Sequence, residues 1–261
     1  MQVTYATSFE TLAIERRQNR PQTGASSAAS ADAPPAASTP PGPSAPVSAA
    51  FVAAPAISDA MRAQLAMTQP GWKEPDPAAA LARAEASAKA YGDAGSVKSG
   101  AAATKAVVSL IPGEADVVQL SAPLHVSGPT PLLSSILVAP GAGASQAGAS
   151  PGELRWEARE WFATQGRARL LVLDDASTLG AATSGSALDT LAWAAAAAGV
   201  STIVLGRWPA DAFALDALEV AFHAELAKGS APADAFQAAV SQARAKSAAP
   251  AAWAGLRFIG R

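Results

Sequence analysis

Cysteine is absent from all 261 residues, and histidine occurs only twice, as His125 and His223. Without a thiol, disulfide frameworks, thiolate metal sites, iron–sulfur clusters and cysteine nucleophiles are excluded. Two imidazoles cannot furnish a three-histidine zinc centre, and a site of two histidines and a carboxylate would consume both. Charge is sparse: 15% of residues are Asp, Glu, Lys or Arg, and the net charge is −2. No basic stripe stands out, which argues against a nucleic-acid partner. Long apolar runs are missing too, since Leu191–Val200 is mostly alanine and falls short of the roughly 18–20 residues of a membrane span, so no membrane partner is expected. The opening MQVTYA has no basic segment leading into an apolar one, so no secretory signal is visible and a cytoplasmic location is expected.

What is present is alanine. Half of the chain is hydrophobic, but 70 of those residues are Ala, so the core must come from scattered Leu, Ile, Val, Phe and Trp. Composition divides the chain into residues 1–20, a strand-and-helix segment; 21–48, a Pro/Ala/Ser-rich tether with Asp32 as its single charge; and 49–261, a regular domain. The tether buries too little to offset its ordering entropy and is expected to be disordered. Arg16, Arg17 and Arg20 form too short a cluster to imply nucleic acid.

In the domain, Ala50–Ala54 reads as a buried strand. Asp76 followed by Pro77 starts a helix that closes at Gly92, with Leu81, Ala84, Ala88 and Tyr91 on one face. A turn through Val97 leads to a helix over Ala101–Leu110, stopped by Pro112 and Gly113. Asp116–Ser121 and Ser135–Ala139 read as strands, and Ser150-Pro-Gly-Glu153 as the capping box of a helix running to Gly166. Strands are predicted at Arg169–Leu173, Thr202–Leu205 and Leu256–Ile259, and helices at Ser186–Gly199, Ala210–Lys228 and Ala231–Ser247. This alternation predicts an α/β fold with a mostly parallel sheet and helices on both faces. Ligands of such sheets bind at the carboxyl ends of the strands, which directs attention to the loops after Ser121, Leu173 and Leu205.

The glycine-rich loop Gly141–Gly148 lacks a P-loop lysine and dinucleotide-fold spacing, and Gly180–Gly185 is followed by Ser186 and Ala187 where Lys and Ser/Thr should stand. Both read as flexible loops, and no cofactor is expected. Asp174 and Asp175 end the central strand, but neighbours on a strand point to opposite faces and cannot easily act as a paired acid and base. One reading has one of them cap the following turn; another has one bind Mg²⁺ or Ca²⁺ with oxygens from Ser177, Thr178 or Asp211. His125, with Ser127 nearby, and Ser177 lie after neighbouring strands and could form a Ser/His pair, though no G-x-S-x-G elbow surrounds Ser177. His223, mid-helix after Phe222, reads as a packing or surface residue. Trp208-Pro-Ala-Asp211 reads as a hydrophobic plug at the crevice edge, or as an aromatic contact for a partner.

Taken in order, Tyr5-Ala-Thr-Ser8, Asp116-Val-Val-Gln-Leu, Pro131-Leu-Leu-Ser-Ser-Ile-Leu-Val, Leu171-Val-Leu-Asp-Asp-Ala-Ser-Thr, Leu205-Gly-Arg-Trp-Pro-Ala-Asp, Lys228-Gly-Ser-Ala-Pro and Trp253-Ala-Gly resemble the CHAT domain. That family of caspase-like peptidases is often joined to tetratricopeptide repeats. The resemblance implies a three-layer caspase-like fold and a His/Cys dyad, in His-Gly after one strand and Ser-Ala-Cys-x-Thr-Gly after the next. Laid onto this chain, the His position falls on Pro123 with Leu124 for the Gly, and the Cys position on Ala176. Thr178 is retained, Leu179 replaces the Gly, and Asp174-Asp175 replaces the Ser-Ala. Both reactive groups are gone, so the expected role is a pseudo-peptidase that binds a protein partner, either a repeat-containing chain or an active CHAT peptidase. Tyr5–Ser8 looks like a segment inside such a domain, so the chain is expected to begin partway through one and to leave an unpaired sheet edge. The expected binding crevice comprises Asp174, Asp175, Thr178, Trp208 and Asp211, and the fallback catalytic pair is Ser177 with His125.

Overall fold

The computed structural model describes residues 47–68, 72, 74–127, 129–141, 150, 152–164, 166–174, 185–206, 212–247, 249–250 and 253–260. All fall in the second of two compact units, Met1–Ala45 and Pro46–Arg261. The expected 1–20 segment and nearly all of the tether lie outside them. Ser48, at the tether's end, is tied down: its N–H and Oγ–H donate to Asp116 Oδ2 at 3.0 and 2.9 Å.

The strands are β1 (Ala49–Pro55), β2 (Gly95–Gly100), β3 (Val117–Ser121), β4 (Leu124–His125), β5 (Ser135–Leu137), β6 (Arg155–Glu157), β7 (Leu170–Leu173), β8 (Thr202–Gly206) and β9 (Leu256–Ile259). The helices are α1 (Asp59–Thr68), α2 (Pro77–Ala88), α3 (Lys105–Val108), α4 (Ile111–Glu114), α5 (Ala158–Trp161), α6 (Gly185–Ala197), α7 (Ala212–Ala227) and α8 (Pro232–Lys246). The main sheet runs β2-β1-β3-β7-β8-β9, parallel except for β9. Every residue of β3, β7 and β8 is buried, as expected of strands covered on both faces.

Side chains alternate across this sheet. Val52, Val118, Leu120, Leu171, Leu173 and Ile203 enter one core with α6, Trp156 and Trp161. Phe51, Val117, Val172 and Val204 enter the other, beneath α2, α7 and α8. Ala84 and Ala88 of α2, with Ala235, Ala239 and Ala243 of α8, let helix backbones come close, so alanine here supplies contact faces rather than bulk. The result is the expected three-layer, caspase-like α/β arrangement. No helix of the described residues is long and apolar enough to cross a membrane.

Several local expectations are corrected. The stretch through Val97 is the parallel strand β2 at the end of the sheet order, not a turn. The Ala101–Leu110 helix is replaced by two single turns, α3 and α4, and Pro112 sits in the first turn of α4, where its missing N–H is harmless. Ser135–Leu137 pairs outside the main sheet, in a small antiparallel sheet β4-β5-β6. The helix expected from Ser150 to Gly166 does not form as such. Half of its box exists, the Ser150 N–H donating to Glu153 at 2.7 Å, but Arg155-Trp156-Glu157 then runs as β6. Burying Trp156 against Trp161, ring centroids 4.6 Å apart, favours that alternation, and the helix starts afresh at Ala158 with Glu157 and Glu160 as a capping box. Helix α1 had no counterpart in the sequence reading.

Candidate functional site

Of the residues singled out from sequence, Asp175, Ala176, Ser177, Thr178, Trp208 and Asp211 lie outside the described residues. Pro123 lies two residues beyond β3 and is buried. His125 is not on the main sheet: it lies on β4, opposite Ser135. Burial and the nearby positive charge of Arg155 push its pKa down to about 4, against a hydrogen bond to the Leu133 carbonyl. It is therefore a neutral ring at neutral pH.

Asp174 belongs to a buried polar constellation. It sits two residues beyond Val172 and so points to the α2/α7 side of the sheet. Its side chain is 0% exposed. Ser121 Oγ donates to its Oδ2 at 2.6 Å, and Gln119 Nε2 reaches the same oxygen at 2.9 Å. That Gln119 nitrogen also lies 2.8 Å from Glu219 Oε2 and 3.0 Å from Ser121 Oγ. With its Nε2 turned to the carboxylates, Gln119 must accept through Oε1, so His223 Nε2–H donates to it at 2.6 Å. His223 Nδ1 then accepts from the Tyr91 hydroxyl at 2.9 Å. The ring is fully buried and meets Phe51 edge-on, centroids 5.0 Å apart.

One cation closes the constellation. Arg83, from the alanine face of α2, places Nε 3.1 Å from Glu219 Oε2 and 3.3 Å from Asp174 Oδ2, while Nη1 donates to Asp216 at 2.8 Å. Burial opposes its charge, but Asp174, Glu219 and Asp216 together hold its pKa above the ordinary value. Glu219 goes the other way for a carboxyl: burial, then the charge of Asp174, raise it well above its usual range. His223 is pushed down to about 3, chiefly by burial, and stays neutral.

Chemically this is a clamp. It ties the end of β3 to the end of β7, the two strand ends near which Pro123 and Ala176 stand in sequence. Asp174 is thereby shielded and paired with arginine rather than presented to a ligand. Sequence reading missed Arg83, Gln119, Ser121, Glu219 and the bonding of His223. Signals existed: an amide inside the apolar strand VVQLS, an arginine inside an alanine stripe, and Glu219 and His223 spaced i,i+4 on one helix face.

No curated protein matches the chain. Among solved structures, the pyridoxal kinase of Staphylococcus aureus is similar, in complex with AMP-PCP and pyridoxal and with AMP-PCP alone, at 11% identity over 74% of this chain and 85% of that one. The TM-scores are 0.31 and 0.29, a likeness that carries no argument about fold or activity. The CHAT domain model, in contrast, matches residues 2–261, so the strand-end segments and the three-layer fold have one source: the chain belongs to the CHAT domain family.

Proposed function

We propose that this CHAT domain is a catalytically inactive, pseudo-peptidase module that works by binding another protein at its strand-end crevice or at a sheet edge. The observation that carries the reading is the pair Pro123 and Ala176 at the two dyad positions, in a chain with no cysteine. A pyrrolidine ring and a methyl group offer neither a base nor a nucleophile. The clamp supports the same reading, because Asp174 is spent on Arg83, Ser121 and Gln119 and His125 is turned to the Leu133 carbonyl. Asp175, Thr178, Trp208 and Asp211 are the residues we assign to partner contact. The partner class we favour is a repeat-containing protein or an active CHAT peptidase.

The test has two arms. Purified protein is incubated with a peptide library and, separately, with a fluorophosphonate probe; neither cleavage nor an adduct on Ser177 is expected. Cleavage that disappears in Ser177→Ala or His125→Ala would sink the proposal in favour of a rebuilt Ser/His hydrolase. In the second arm, a partner captured by the wild type should be lost with Trp208→Ala or Asp211→Arg. A thermal shift with Mg²⁺ or Ca²⁺ that Asp174→Ala abolishes would point instead to a metal-binding role.

A further inference from the structure

A second group of buried polar side chains lies on the small sheet. The register sets His125 beside Ser135, Ser135 beside Glu157, and Leu137 beside Arg155. Partners in an antiparallel ladder project to the same face, as do residues two apart, so His125, Ser135, Leu137, Arg155 and Glu157 share one side. The opposite side, Leu124, Ile136 and Trp156, packs into the main core. Leu137 instead meets Ile57, Met61, Leu65, Leu154 and Trp72, so α1 covers the polar side. Arg155 Nη2 lies 3.9 Å from Met61 Sδ in that layer.

Four buried atoms of this layer have no hydrogen-bond partner among the described residues: Trp72 Nε1, His125 Nδ1, Ser135 Oγ and Arg155 Nε. Ser135 is 0% exposed. Folded proteins leave few such groups bare. Arg155 also lacks an ion pair among the described residues, for Glu157, the nearest acid on its strand face, is bonded to Arg159 at 2.6 Å. Ser135 is the small residue in the middle, with His125 lateral to it and Arg155 on the diagonal, within reach of a long side chain. Three groups able to donate, one of them the Arg155 cation, therefore share this layer with the bare Nδ1 of a neutral histidine. A plain anion would set its lone pairs against that nitrogen. A carboxylate with an N–H beside it satisfies all four groups.

We propose that the layer between β4-β5-β6 and α1 is a binding site for a carboxylate one carbon removed from an acylated N–H, as in the C-terminal residue of a peptide or a free N-acyl amino acid. Arg155, Ser135 and Trp72 donate to the carboxylate, and His125 Nδ1 accepts from the N–H. The site is independent of the strand-end reading and stands if that reading fails.

The experiment uses the full chain with ¹⁵N-labelled tryptophan, the Trp72 indole resonance being identified by Trp72→Phe. The probes are N-acetylglycine and acetyl-Ala-Ala-Gly with a free carboxylate, each against its C-terminal amide. A saturable shift of the Trp72 N–H is expected with the acids and not with the amides. Arg155→Gln should weaken binding at least about tenfold, the scale of one lost charged hydrogen bond, and Ser135→Ala several-fold. A peptide acid binding tenfold or more tightly than N-acetylglycine assigns the site to chain ends; equal affinity assigns it to small acyl amino acids. No saturable shift with either acid, equal response to acid and amide, or unchanged affinity in a folded Arg155→Gln overturns the proposal. Should Arg155→Gln fail to fold, calorimetry on Trp72→Phe decides, with undiminished affinity counting against the site.

Discussion

Arg83 faces three carboxyl groups from inside the protein, and its worth is best judged by what its removal would leave behind. Arg83→Met keeps an unbranched side chain but strands the buried Asp174 without its cation. Breaking a buried charge pair from one side typically costs about 3–5 kcal/mol, and denaturant unfolding should show a loss of that order. Asp216→Asn is the control, because Asp216 is 36% exposed and water screens its contact with Arg83. The expected loss there is below about 1 kcal/mol. Residue type alone did not announce this difference. Asp174 was legible as a notable carboxylate at a strand end, but its partner stands 91 positions earlier in the chain.

Among the elements, those with strong local signals emerged as read. Helix α2 begins where Asp76 and Pro77 require, with Asp76 Oδ1 accepting from the Ala78 N–H at 2.9 Å. Strands β7 and β8 followed from continuous apolar runs, because such runs are stable only where both faces are covered. β6 was not legible, since a helical box and a strand alternation compete over the same residues and Trp156 packing decides between them. β2 was missed for a related reason: GSVKSG is weakly patterned and is held by its parallel pairing with β1. Gly95, which opens β2, shows how tight that docking is. A Cβ there would sit 2.4 Å from the Ala88 carbonyl oxygen and 3.3 Å from Tyr91 Cβ. Gly95→Ala should therefore destabilise the protein by about 1–3 kcal/mol in denaturant unfolding. Displacing Tyr91 should also perturb the His223 ring, visible in its imidazole resonances.

For the whole molecule, the buried titratable groups predict a stability profile bounded on both sides. Glu219 binds its proton more tightly folded than unfolded, so its contribution is complete below the ordinary carboxyl value of 4.5 and declines as pH rises towards its raised folded value. His223 acts oppositely. The unfolded ring takes a proton near 6.5 and the folded ring only near 3, so stability falls as pH drops through that window. Asp116 adds to the acid side: desolvation pushes it up, but hydrogen bonds from Arg167 and Ser48 hold it down to about 2. Thermal unfolding across pH should show Glu219→Gln flattening the limb above 4.5, and His223→Gln flattening the limb between 6.5 and 3. A Glu219→Gln profile that still tracks the wild type above 4.5 would show that Glu219 is not protonated in the fold.

The amino-acid sequence was sufficient for the alternation of strands and helices, for the two-sided burial of the central strands, and for the absence of any thiol. An atom that no residue carries cannot be supplied by folding, so a chain without cysteine has no thiolate at Ala176 in any conformation. Where the remaining polar groups go was decided only in three dimensions. Arg83, Gln119, Asp174, Glu219 and His223 come from α2, β3, the end of β7 and α7, and Trp72, His125, Ser135 and Arg155 from segments equally dispersed along the chain. Ionisation and hydrogen bonding depend on distance and on exclusion of water, and the packing of separate elements sets both.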